Sequence, residues 1–572
     1  MPLSFRNAHE FDWRIQKLAV IGPGIVGMPM AALLARARVT EGTERPAPVT
    51  VVQRDSPTSG WKVKAINDGR SPIGGIEPDL DRIVADSVSA GLLRATHDPA
   101  AVADADVILV CVQTDRKGCG PDYGPLMASL EGVAAALQNR PSGNVPLVVF
   151  ESTLAPSSMT TVIRSHFSAH GLVEGRDLLL GNSPNRVMPG RLVERVRTSD
   201  KIVGGLHPLT PKLIASLYAR IVTAGALHLT NSMTAEVVKT LENAYRDVRI
   251  AYSAEIARFC DEHDIDFFAV RDRVNALLAQ GDEASGDPNA VPSGGMLVPT
   301  VGVGGHCLPK DGILLWWRAT EGGADTSHSL ILGARRVNDA SPAATIALAE
   351  RALGPLQGKA IAVMGAAYRF NSEDTRNSPS LALTRLLIQH GCTVRLHDPF
   401  VKPDDQNLRR LSLDGCFTND LEAAVADAAV LFFCTAHREY ASRRSAWPAL
   451  APRLEAVVDG CNLYSQRDFA ATGVRYAGIG RGGQPPSDEF IEFVRAGFDA
   501  VERGVANEVH ALLAFLNTRF ADSAFDRVSL DEVRRLAGTC VTGCRLPSPA
   551  TVGRPREWRG FTPELVTLAA GA

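Results

Sequence analysis

The chain has 572 residues, more than one hydrophobic core accommodates, and its 45% apolar and 22% charged composition is that of a globular protein of about three or four domains. Its net charge of −3 gives no general attraction to nucleic acid or anionic lipid, so an anionic ligand must be held by helix N-termini and individual arginines. The ten cysteines are scattered and form no disulfide framework, the N-terminus has no signal-peptide apolar region, and no apolar run approaches the ~20 residues of a membrane span, which together point to the cytoplasm.

The first predicted strand is the run Lys17–Ile21, followed by Gly22-Pro23-Gly24-Ile25-Val26-Gly27 and a helix over Met28–Arg38. Val49–Val52 and Val107–Val112 read as further strands, Ala128–Leu137 as a helix, and Leu147–Phe150 as the next strand. Such alternation implies a parallel, doubly wound sheet, and the near-continuous apolar runs are those of strands covered on both faces. From about Thr230 to Ala279 the pattern is helical. A Gly/Pro-rich stretch, Gly281–Gly312, separates it from another helical region ending near Leu353. The strand pattern then returns at Lys359–Met364, Val394–His397, Val430–Cys434 and Ala456–Val458. The fold class expected is α/β, with two Rossmann-like doubly wound parallel sheets joined by a helical region, an arrangement that suits an enzyme of two nucleotide-sized ligands. After Gly482 only a helix near Glu489–Leu516 is legible, and the tail reads as a packing or oligomerisation extension.

The G-x-G-x-x-G run stands where a dinucleotide fingerprint belongs, between a strand and a helix. Gly22 permits the tight turn, Gly24 the approach of a pyrophosphate, and Gly27 close helix–strand packing, with Ile25 and Val26 opening the helix N-terminus. Asp55 is the expected ribose-binding carboxylate, with Val39–Pro48 as an inserted loop that lengthens the spacing. A carboxylate there favours NAD over NADP because it repels a 2′-phosphate. No metal site is assigned.

The segment Gly302-Val303-Gly304-Gly305-His306-Cys307-Leu308-Pro309-Lys310-Asp311 carries the chemistry. A cysteine among glycines is open to a ligand, and Asp311 shares its face if a helix starts there. Lys239 and Asn243, spaced i, i+4 on a predicted helix, point at one site. A cation and an amide donor together suit a developing oxyanion, and a cation also favours thiolate over thiol.

These elements resemble the UDP-glucose/GDP-mannose dehydrogenase family along about residues 17–482. The glycine fingerprint is followed by Lys62-Val63-Lys64-Ala65-Ile66-Asn67-Asp68-Gly69-Arg70-Ser71-Pro72-Ile73 with Glu77-Pro78, then Glu151-Ser152-Thr153 and Lys239…Asn243. Gly304-Gly305-His306-Cys307 with Asp311, Asp374-Thr375-Arg376-Asn377-Ser378-Pro379 and His397-Asp398-Pro399 complete the series. The resemblance implies an NAD-binding domain over residues 1–228, a central helical dimerisation domain over 229–352, a nucleotide-sugar domain over 353–482, and an extension of unassigned role over 483–572. It implies a four-electron oxidation of a sugar C6 alcohol to the uronate through a Cys307 thiohemiacetal and thioester, with Lys239 and Asn243 stabilising the oxyanion and Asp311 handling protons or orienting water. It further assigns Thr114, Thr153 and Arg376 to the cofactor side, and Asn185, Arg186, Gly304, Gly305 and Arg369 to the substrate. The Gly-Gly-His-Cys spelling is closer to members acting on N-acetylhexosamine nucleotides than on UDP-glucose. The product would be an activated uronic acid for a surface polysaccharide or a glycosylated metabolite.

The chain departs from the family pattern at four places. Asn185 stands where a glutamate is usual, Asp115 follows Thr114 in place of proline, Cys461 precedes Asn462 in place of arginine, and Arg369 replaces a lysine. Asn185 cannot accept a proton at neutral pH, which makes thioester hydrolysis and substrate identity the steps most affected. The alternatives to a uronate-forming enzyme are a catalytically impaired nucleotide-sugar-binding paralogue and a two-electron hydroxyacid-type dehydrogenase, which needs neither Cys307 nor a second sheet.

Overall fold

The structure is a computed structural model that describes residues 15–38, 45–74, 77–141, 145–187, 190–283, 294–540 and 544–571. By contact the chain forms two units, Met1–Glu242 with Leu314–Ala324 and His510–Gly543, and Asn243–Ile313 with Asp325–Val509 and Cys544–Ala572. Among the described residues no helix is long and apolar enough to cross a membrane.

In the first unit the strands are β1 (Leu18–Ile21), β2 (Val49–Val52), β3 (Leu93–Thr96), β4 (Val107–Val110), β5 (Asp115–Lys117), β6 (Gly120–Asp122), β7 (Leu147–Phe150), β8 (Leu179–Asn182), β9 (Lys201–Gly205) and β10 (Leu227–Asn231). β5 and β6 form a separate hairpin; the others make one sheet in the order β10-β9-β8-β7-β4-β1-β2-β3. Successive residues of one strand enter opposite cores. Leu18, Val20, Val107, Leu109, Leu147 and Val149 pack on one face, and Ala19, Ile21, Ile108, Val110, Val148 and Phe150 on the other. The unbroken apolar runs follow directly from this two-sided burial.

The sheet is not wholly parallel, as the sequence pattern had suggested: β8 and β9 run antiparallel, with Gly181 opposite Gly205 and Asn182 opposite Gly204. A Cβ on Gly181 would lie 2.7 Å from the Gly204 carbonyl, so this close pairing is built on glycine. The helix after the first turn is shorter than expected, Gly27–Leu34, and the helix Gly124–Gln138 starts earlier, with Pro125 in its first turn where a missing N–H costs nothing. Most of the expected insertion, residues 39–44, lies outside the described residues.

The second unit holds β11 (Ala360–Met364), β12 (Thr393–His397), β13 (Phe417–Thr418), β14 (Val430–Phe433), β15 (Ala456–Asp459) and β16 (Arg475–Gly478), all parallel, in the order β13-β12-β11-β14-β15-β16. The helices Phe267–Glu283, Leu330–Asp339 and Ser341–Leu353 belong to the same unit.

The C-terminal extension packs within each unit. In the first, Asn231 Nδ2 donates to the carbonyls of Phe525 (2.8 Å) and Arg527 (2.9 Å), and Thr230 Oγ1 donates to Glu532 (2.8 Å). In the second, Phe561 stacks on Phe259 with centroids 4.4 Å apart, and Glu255 accepts the N–H groups of Glu564 (2.7 Å) and Leu565 (3.2 Å) at the start of the helix Glu564–Gly571.

Glu255 and Glu502, the latter accepting a hydrogen bond from Tyr245, are buried carboxylates that burial pushes up to about 7. A carboxyl whose folded pKa lies above its unfolded value of ~4.3 contributes stability that is complete below the unfolded value and is lost as pH rises through the folded one. The urea midpoint is therefore expected to fall between about pH 5 and about pH 8, and Glu502→Gln, which keeps an acceptor for Tyr245, is expected to flatten that fall. An equally steep fall in the variant would remove Glu502 as its source.

Candidate active site

In the first unit the chain leaves β1 through Gly22, whose φ of +87° lies in the left-handed region that favours glycine. Its N–H donates to the Val52 carbonyl at 3.0 Å, and Gly24 N–H turns back to the Gly22 carbonyl at 2.8 Å. A Cβ on Gly27 would overlap the Gly22 carbonyl, so the helix packs on the strand as closely as the fingerprint requires. Gly24 differs: a Cβ there meets nothing within 4 Å, so packing does not require this glycine and the space beside it is open. Ile25 and Val26 follow half-buried, and no side chain caps the first helical turn, which leaves backbone donors for an anion. This cradle fits a dinucleotide pyrophosphate. Gly24→Val is expected to fold with an unchanged melting midpoint and to weaken NAD binding by about tenfold or more, measured by fluorescence titration; one discriminating interaction of ~1.4 kcal/mol suffices. Unchanged affinity would dissociate Gly24 from the cofactor.

Asp55 is exposed and lies three residues beyond the last residue of β2, with its carboxylate beside Gly60. The position directly after β2 is held by Gln53, whose amide donates to Arg54 O (3.1 Å) and Ser59 Oγ (2.9 Å). Thr114 and Thr153 do meet: Thr114 Oγ1 donates to the Thr153 carbonyl at 2.7 Å, joining the chain just beyond the C-terminal ends of β4 and β7. Ligands of open α/β sheets bind at such strand ends. The sequence reading did not single out Lys62 as a site residue. It lies half-buried with Nζ 3.5 Å from the Pro23 carbonyl, and burial lowers its pKa.

Asn185 and Arg186 both have internal partners. The buried Glu151 is paired with Lys201 (2.9 Å), accepts from the Tyr218 hydroxyl, and accepts from Asn185 Nδ2 at 3.3 Å. Asn185 Oδ1 accepts from Val187 N–H at 2.9 Å, so its amide is a strut between Glu151 and the loop that follows. Arg186 is ion-paired with Glu242 and donates to Thr539 Oγ1 (2.8 Å) and the Leu536 carbonyl (3.0 Å), fixing the helix Leu530–Gly538. Sequence reasoning placed these two side chains on the substrate. The partners of Arg186 lie up to 353 residues away, and no local pattern announces them. Lys239 is almost buried on the helix Ser232–Glu262, one turn before Asn243.

In the second unit a helix does start at the cysteine. Cys307 is exposed, and its carbonyl accepts from Lys310 N–H (3.1 Å) and Asp311 N–H (2.9 Å) at the head of the helix Leu308–Glu321. Negative charge is favoured at such an N-terminus. Asp311 is 0% exposed; Asn243 Nδ2 donates to one oxygen at 2.6 Å and Lys310 Nζ pairs with the other at 2.7 Å. Lys310, itself 2% exposed, was not among the expected site residues, although it adjoins Asp311 in the motif.

The glycines before Cys307 are required by Tyr368. A Cβ on Gly305, whose φ is +90°, would lie 2.9 Å from the Tyr368 ring, and one on Gly304 would overlap the Tyr368 Cβ. Gly305 N–H donates to the Arg376 carbonyl at 2.8 Å, and Asn377 Nδ2 donates to the Gly305 carbonyl at 3.0 Å. The thiol loop is thereby tied to the segment after β11. Arg376 is held by Asp374 (Nε to Oδ1, 2.9 Å) and interacts electrostatically with Cys307 and Tyr368. Arg369 lies with its guanidinium 5.8 Å from the Phe370 ring centroid. The unit therefore brings Tyr368 and Arg376 to one exposed thiol, whose helix carries Asp311 clamped by Asn243 and the buried Lys310. Cys461 is half-buried near Asp459, and desolvation pushes its thiol well up.

The chain matches three domains of one family: the NAD binding domain over residues 16–222, the central domain over 233–340, and the UDP binding domain over 362–466. It is 32% identical to the UDP-N-acetyl-D-mannosamine dehydrogenase of Pyrococcus horikoshii over 472 residues, covering 82% of this chain and 99% of that protein. It is 30% identical to the NDP-N-acetyl-D-galactosaminuronic acid dehydrogenase of Ralstonia nicotianae over 478 residues, covering 81% and 100%. The crystal structure of NDP-N-acetyl-D-galactosaminuronic acid dehydrogenase from Methanosarcina mazei Go1 superposes with a TM-score of 0.68 at 31% identity, covering 82% of this chain and 96% of that one. The dinucleotide turn, the thiol loop and the three matched domains agree: this chain belongs to the UDP-glucose/GDP-mannose dehydrogenase family.

Proposed function

We propose that this enzyme oxidises the C6 alcohol of a UDP-N-acetylhexosamine to the uronate, with Cys307 as the covalent nucleophile. The observation that carries the reading is the exposed Cys307 at a helix N-terminus, one turn from an Asp311 clamped by Asn243 and Lys310. The N-acetylhexosamine choice rests on the Gly-Gly-His-Cys spelling and on the names of the relatives from Pyrococcus horikoshii and Ralstonia nicotianae.

NAD, when bound at the Gly22–Gly27 turn, supplies the hydride acceptor for both oxidations. Asp55, Thr114, Thr153 and Arg376 are the residues proposed for the cofactor. The alcohol first loses a hydride and a proton to become an aldehyde. Cys307 Sγ then adds to C6, its proton passing to the former carbonyl oxygen. Loss of a second hydride and proton leaves a thioester, which water cleaves to the carboxylate and the free thiol. One Asn243 N–H is engaged by Asp311, which leaves its second N–H for the oxyanion beside the Lys239 ammonium. Asp311 acts on the attacking water or on the group that holds it. Gly304, Gly305 and Arg369 shape the sugar-nucleotide side, whereas Asn185 and Arg186 act through Glu151 and Glu242 as positioning residues.

The organisation proposed is an NAD domain over 1–228, a dimerising helical domain over 229–352, a nucleotide-sugar domain over 353–482 and a packing extension over 483–572, working as a cytoplasmic homodimer. Its product serves as an activated uronic acid for a polysaccharide or glycosylated metabolite. Purified protein offered UDP-GlcNAc, UDP-ManNAc, UDP-glucose and GDP-mannose in an NADH-linked screen is expected to turn over a UDP-N-acetylhexosamine fastest. Preference for UDP-glucose or GDP-mannose would overturn the substrate assignment.

A further inference from the structure

Glu131, His166 and His170 place one ligand atom each within 4.8 Å of one another, the only such three-residue His/Cys/Asp/Glu group among the described residues. Glu131 comes from the helix Gly124–Gln138; His166 lies in, and His170 directly after, the helix Arg164–Ala169, one turn apart. The Glu131 carboxylate is 3.5 Å from His166 Nε2 and 3.2 Å from His170 Nε2. With zinc–nitrogen and zinc–oxygen bonds of ~2.0–2.1 Å, the edge of a zinc tetrahedron is ~3.4 Å; the two carboxylate–imidazole separations match it, and the two imidazole nitrogens lie within 4.8 Å of one another.

Two further observations point to a ligand. The His166 side chain is only 10% exposed, yet its buried Nε2 has no hydrogen-bond partner and faces the Glu131 oxygen beyond hydrogen-bonding geometry. A buried ring nitrogen left in this way is costly unless something occupies its lone pair. His170 Nδ1 lies 2.9 Å from the His166 carbonyl. A donor at Nδ1 fixes the tautomer whose Nε2 is free to bind a metal, the backbone-carbonyl support usual for metal-bound histidine.

We propose that Glu131, His166 and His170 bind a divalent transition-metal ion of the zinc type through Nε2, Nε2 and a carboxylate oxygen, with water at the fourth position. The ion staples the helix Gly124–Gln138 to the helix Arg164–Ala169. None of the three residues has a part in the proposed oxidation.

Chelator-treated full-length protein titrated with zinc in a calorimeter tests this, with cobalt(II) absorption reporting the donor atoms. The expected result is a site lost by about tenfold or more in affinity in His166→Ala and His170→Ala, and weakened in Glu131→Gln, whose side chain is 62% exposed and free to change without disturbing the fold. The cobalt spectrum is expected to be tetrahedral without a sulfur-to-metal band, and zinc to raise the melting midpoint of the parent but not of the histidine variants. No binding, binding unchanged in the histidine variants, or a sulfur-to-metal band, which would place the ion on a cysteine, overturns the proposal.

Discussion

Cys307→Ala is expected to lower uronate formation by about 1,000-fold or more, as removal of a covalent nucleophile does elsewhere. Cys307→Ser is expected to be similarly blocked, because an alcohol at this position is a far weaker nucleophile than a thiol. Cys307 is exposed and its part in the helix start is made by its carbonyl, so both variants are expected to melt at the parent's temperature. Uronate chromatography and thermal denaturation check the two statements separately. Unchanged turnover in either variant would remove Cys307 from the mechanism.

Asp311→Asn has the second largest expected effect, for two reasons that can be separated. The loss of a group that positions or deprotonates water costs about 100-fold or more in kcat. The substitution also strands Lys310, 2% exposed and paired with Asp311 at 2.7 Å, and an uncompensated buried charge costs about 3–5 kcal/mol of stability. A second substitution, Lys310→Met, removes the stranded cation. The double variant is therefore expected to regain much of the lost melting temperature and little of the lost kcat. Recovery of both would make Asp311 a partner of Lys310 and nothing more.

The parts legible in the sequence are those written in short-range patterns. β1, β4 and β7 are buried on both faces and appear as unbroken apolar runs. The Gly22–Gly27 turn and the Cys307–Asp311 spacing are likewise local, and the structure places them on a strand-to-helix turn and on a helix start. β13 is two residues long, and β16 carries Arg475 and a half-buried Tyr476, so neither shows an apolar run to read. The antiparallel β8–β9 pair depends on which glycines face each other, which no single strand reveals. Partners of Arg186 and Glu255 come from as far as 353 and 310 residues away, so the contacts by which the tail packs on these residues leave no local pattern to read. His166 and His170 are a helical pair visible in sequence, but Glu131, the residue that makes them a ligand set, belongs to another helix.

The covalent, four-electron reading is tested most directly by the NADH produced per nucleotide sugar consumed, measured by absorbance alongside chromatography of the sugar. Two NADH per sugar with free uronate as the product is the expected result. One NADH per sugar, with an aldehyde released, would show that oxidation ends after the first hydride and that no Cys307 thioester is formed and cleaved.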